Sequence, residues 1–163
     1  MKFDKSTMES GYRCFLYDAA TIIAARLELE NNPKARQDLD IGTNDNQLAI
    51  ETALNKIRSL FDFFGKNSCG DDLSCKDFDF GLKSLSSDQY DIRTAIHKYS
   101  MHLTWERVSR QKTALPRINK IIERSRELDK WIKEFISHCK SQKLNPDGPL
   151  GPKYLNFINN NIS

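Results

Sequence analysis

The sequence predicts an all-α fold, an antiparallel up-and-down bundle of long helices. Apolar residues recur at three- and four-residue spacing over four separate stretches, as amphipathic helices require. The segments between them are rich in Asn, Asp, Ser and Gly, and no stretch alternates convincingly as a strand would. The 163 residues, 39% of them apolar, suffice for one domain with a real core and are too few for two comfortable ones.

The first helix is expected from about Met8 to Asn31, with Tyr12, Phe15, Leu16, Ala19, Ile22, Ile23 and Leu27 as its apolar stripe. Asn31-Asn32-Pro33 ends it, and a polar connection follows to about Asn46. The second runs from about Asn46 to Phe64, with Ile50, Ala53, Leu54, Ile57, Phe61 and Phe64 facing the core and Gly65 as a left-handed stop. Residues 66–87 form a long connection that packs Phe78, Phe80, Leu82 and Leu85 onto the bundle. The third helix spans about Asp88 to Arg110, capped by Ser87, with Ile92, Ile96, Tyr99 and Leu103 as its stripe. The fourth starts near Pro116, a good first-turn residue, and ends near Gln142. Its stripe is Ile118, Ile121, Ile122, Leu128, Ile132, Phe135, Ile136 and Cys139. Residues 1–145 thus form one helical bundle domain. Residues 146–163 form a Pro-, Gly- and Asn-rich tail, either loose or docked through Tyr154, Leu155, Phe157 and Ile158.

Several function classes drop out. No apolar run approaches the roughly 20 residues that span a bilayer, so no membrane association is expected. The N-terminus lacks the apolar core of a signal peptide, which makes the cytoplasm the expected location. The four cysteines form no CxxC pair, and Cys69-x5-Cys75 matches no usual zinc spacing. All four read as free thiols, with Cys14 and Cys139 as packing residues. There is no glycine-rich phosphate loop and no paired Glu-x-x-His, so neither a cofactor nor a metal is expected. The net charge of +3 is too mild to imply a nucleic-acid partner by itself. Basic residues do cluster between Arg107 and Arg126, as a solvated helix face or as an electrostatic footprint.

The stretch Ile96-His97-Lys98-Tyr99-Ser100-Met101-His102-Leu103-Thr104-Trp105-Glu106-Arg107 looks most like a site. On a helix, His97 and His102 lie about 140° apart, so they cannot share one small metal site. Arg93, His97, Ser100 and Thr104 fall on one side. Lys98, His102 and Glu106 form a line on the other, where Glu106 can accept a hydrogen bond from His102 and raise its pKa. Arg58 and Asp62, one turn apart on the second helix, form either a structural clamp or a phosphate-binding group beside His102. Asp71, Asp72 and Asp77 lack calcium-loop spacing and read as turn and capping residues. Trp105 and Trp131 read as core or interface anchors, or as surfaces for stacking bases.

Two segments carry a family resemblance. Arg58-Ser59-Leu60-Phe61-Asp62-Phe63-Phe64, with Asp71-Asp72 and Asp77-Phe78 after it, resembles an R-x-L-x-D-F-F … D-D … D-F pattern of bacterial helical proteins. Residues 96–107 resemble their I-N-K-x-x-A-H-L-T-x-x-R segment. That group is similar to the HEPN superfamily, particularly its abortive-infection-associated branch. The resemblance covers about residues 50–110. It implies a four- or five-helix bundle, a homodimer, and RNA binding or metal-independent RNA cleavage in bacterial defence or a toxin–antitoxin system. An antitoxin or another protein would then be a partner. Active members place an Arg four to six residues from a His, the His moving a proton and the Arg steadying phosphate. Here His97 stands five before His102, where that Arg belongs. The resemblance therefore assigns proton transfer to His102, with Lys98 as the nearest cation, although lysine clamps phosphate less well than arginine. Arg58, Arg93 and Arg107 would contact RNA phosphate, supported by Glu106, Asp62 and His97. The other reading is a bundle without enzymatic activity that dimerises or holds a protein partner.

Overall fold

A computed structural model describes residues 3–31, 44–65, 72–101 and 125–162. Among them are five α-helices and no strand. They are α1 (Lys5–Asn31), α2 (Asn44–Gly65), α3 (Ser87–Met101), α4 (Glu127–Ser141) and α5 (Gly151–Asn161), with one 3-10 turn at Cys75–Phe78. Helix α1 packs on α2 and α5, and α2 also packs on α3 and α4.

Helices α1 and α3 start where a side chain satisfies their first amides. Asp4 accepts from the Thr7 amide at 2.8 Å, so α1 begins three residues before the apolar stripe alone suggests. That hydrogen bond holds the Asp4 carboxyl below the usual carboxylate range. The cap of α3 is Ser86, one residue earlier than expected. Its Oγ accepts from the Gln89 amide at 3.2 Å, and its own amide donates to Gln89 Oε1 at 2.9 Å, a reciprocal capping box. The fourth helix is not continuous from Pro116: a turn at Ser125–Arg126 precedes α4, and residues 102–124 lie outside the described set.

The core gathers around Phe135 of α4. Its ring is 4.5 Å from Phe15, 5.0 Å from Phe63, 5.1 Å from Phe78 and 5.4 Å from Phe80, mostly edge to face. Tyr12, Phe15, Leu16, Ala19, Ile22 and Ile23 bury one side of α1, as their spacing predicts. Helix α2 is buried more broadly than its predicted stripe, since Leu60 and Phe63 join Phe61 and Phe64 inside. Cys139 is buried and its thiol is pushed up to about 12 by desolvation. Cys14 corrects an expectation: it is exposed on α1 and lies outside the core.

Gly65 ends α2 without the expected left-handed backbone; among the described glycines only Gly148 has a positive φ. Gly65 is needed for another reason. A Cβ there would sit 2.9 Å from Leu85 Cγ, so the returning chain crosses too close for a side chain. That chain also satisfies the end of α2, because Phe64 O accepts from the Lys83 amide at 2.9 Å.

Polar contacts tie the helices together around this core. Lys56 meets Asp18 at 2.8 Å between α2 and α1. Arg26, buried on α1, donates from Nη2 to both Asp129 oxygens of α4, at 2.8 and 2.9 Å. Gln89 Nε2 donates to Glu127 at 3.0 Å between α3 and α4. The segment after α4 returns to α1: Ser10 Oγ donates to Asp147 at 3.0 Å, and the Asn145 amide donates to Glu9 at 3.0 Å. Helix α5 then lies on α1, with Ile158 buried and Tyr154, Leu155 and Phe157 packed against the core.

Candidate functional site

Helices α2 and α3 bring three of the predicted site residues together. Arg58 and Asp62 are one turn apart on α2, and Arg93 reaches across from α3. Arg93 Nε donates to Asp62 Oδ1. Arg58 Nε lies 3.6 Å from Asp62 Oδ2, close enough for ion pairing and too far for a hydrogen bond. That nitrogen is buried and has no hydrogen-bond partner. The side chains of Arg58, Asp62 and Arg93 are 23%, 25% and 17% exposed, so the group is mostly buried and still reaches solvent. Two guanidiniums thus share one carboxylate, and these three side chains together carry one positive charge between two helices.

Arg93 has a second neighbour, Tyr90. Its guanidinium carbon is 6.0 Å from the centre of the Tyr90 ring, within cation–π range. Tyr90 lies one turn earlier on α3 and is 56% exposed. An aromatic three residues before an arginine on a predicted helix was the available signal.

The remaining predicted residues are placed in part or not at all. His97 and Lys98 belong to α3, His97 one turn beyond Arg93, but their side chains lie outside the described set. His102, Glu106, Arg107 and Trp105 lie outside the described residues, as do Asp71 and Cys69. Asp77 accepts from the Ser74 amide at 2.9 Å and caps the 3-10 turn, which is the capping role its position suggested. Trp131 stands edge-on to Phe64, 5.6 Å between ring centres, and is a packing residue. His138, the third histidine, bonds through Nε2 to the Phe78 carbonyl at 2.7 Å and rests against Phe80. It fixes the 3-10 turn to α4.

Chemically, the α2–α3 group can hold an anion. A fixed pair of planar guanidiniums suits a phosphate, which accepts several hydrogen bonds at once. Among the described residues no three His, Cys, Asp or Glu side chains converge as metal ligands. No described helix is long and apolar enough to cross a membrane. Comparison with known proteins adds no identity: no protein-family model, curated protein or solved structure matches the chain.

Proposed function

We propose that this chain is a HEPN-like up-and-down bundle that binds RNA, with Arg58 and Arg93 contacting phosphate on the α2–α3 face. The observation that supports it is the sharing of Asp62 by two arginines. One carboxylate neutralises one guanidinium, so the pair keeps a net positive charge while Asp62 restrains both side chains. A restrained cation loses less freedom on binding phosphate than a free surface lysine does. His97 and Lys98 lie on the same helix as Arg93. In this reading the protein works in the cytoplasm as a homodimer, in bacterial defence or opposite an antitoxin. Cleavage is the stronger form of the reading, with His102 moving the proton and Lys98 facing the phosphate.

The test is fluorescence anisotropy with labelled RNA over about 50–200 mM salt. Binding should weaken steeply with salt. Arg93→Gln should weaken it for all sequences and lower the salt slope by about one. Gel analysis of the same mixtures reads cleavage, which His102→Ala should abolish. Absence of binding at low salt defeats the reading and leaves the bundle as a protein-interaction module.

A further inference from the structure

Tyr90 is the most exposed of the large hydrophobic side chains among the described residues. A single exposed tyrosine is ordinary on a protein surface. Its company is not. Its ring lies beside the Arg93 guanidinium, and Arg93 is itself fixed by Asp62 on the neighbouring helix. The flat apolar surface and the cation therefore keep a set separation. A nucleotide presents the matching pair, a flat base and a phosphate joined by one sugar.

Resting on the RNA-binding reading above, we propose that Tyr90 and Arg93 together select single-stranded RNA. Tyr90 stacks on an unpaired base and Arg93 takes an adjoining phosphate. Every base has a π-face, so stacking of this kind tolerates any sequence. Duplex RNA does not offer that face: its bases are stacked on one another, and its deep, narrow major groove admits no side chain. The surrounding charges give the strand a direction. Asp91, exposed beside Tyr90, repels a backbone there. The strand then runs from Tyr90 past Arg93 along α3.

The experiment compares a short unstructured RNA with the same strand annealed to its complement, both fluorescently labelled, on the full chain. The unpaired strand should bind at least about tenfold more tightly. Tyr90→Ala should lower its affinity about fivefold to a hundredfold, and Tyr90→Phe should stay within about twofold, because the ring and not the hydroxyl stacks. The salt slope of Tyr90→Ala should parallel the parent, while that of Arg93→Gln flattens by about one. Tyr90 is exposed, so its variants fold. Equal binding of duplex and single strand, or parental affinity in Tyr90→Ala, overturns the stacking role and leaves RNA binding standing. Failure of the parent to bind either RNA overturns both.

Discussion

Asp62 is the residue on which the α2–α3 contact turns. Asp62→Asn keeps its size and removes its charge, taking from Arg58 and Arg93 the carboxylate that they share. In a partly buried setting this should cost about 1–3 kcal/mol, read from the urea midpoint at low salt. High salt should narrow the gap by screening the two arginines. An unchanged midpoint would mean that the arginines turn to solvent at no cost, and the restraint argued for them disappears. One of the two contacts in this cluster is legible in the sequence. Arg58 and Asp62 are four apart, so helix geometry alone brings them together. Arg93 is 31 residues from Asp62 on another helix, and no spacing rule connects them. The same limit hid Arg26, which looks like one more charge on α1 until Asp129 is found 103 residues away.

At the level of elements, α2 and the chain that recrosses its end depend on a missing side chain. Gly65→Ala improves helix propensity by at most about 1 kcal/mol, and by less at a helix end. The new Cβ meets Leu85 at 2.9 Å, and such overpacking costs about 1–3 kcal/mol. A net loss of about 1–2 kcal/mol is expected in thermal or urea unfolding. Making the change in a Leu85→Ala background should erase it; a loss that persists there would refute the steric explanation. Apolar spacing made α1, the second half of α2, and α4 legible, since each presents its large side chains on the face that is buried. Helix α5 reads as a tail for local reasons. Gly151, Pro152 and the run Asn159-Asn160-Asn161 have the composition of a loop. Yet Pro152 sits in the first turn, where its missing amide costs nothing, and Gly151 lies against Pro146 too closely for any Cβ. Burial of Ile158 against the bundle then outweighs the weak propensity of the asparagines.

Across the whole molecule, the Phe135 cluster joins α1, α2, α4 and the segment around the 3-10 turn into one core, and α5 closes its outer side. Ile158→Ala should lower stability by about 2–5 kcal/mol in a single cooperative transition, whereas Asn159→Ala, on the exposed side of α5, should change it by less than about 0.5 kcal/mol. A separate early transition in Ile158→Ala would show that α5 unfolds apart from the rest. The all-helical class was legible because four stretches shared one period. The order in which helices touch was not, because it depends on contacts such as Glu9 with Asn145 that no local pattern encodes. That last contact also bears on how the protein is made. A ribosome must add 136 further residues after Glu9 before its partner exists. At ordinary rates of synthesis the outer face of α1 waits on the order of ten seconds for its cover. During that interval the nascent α1 lacks its cover on this side, and the folding step that supplies it can come only after Asn145 has been added.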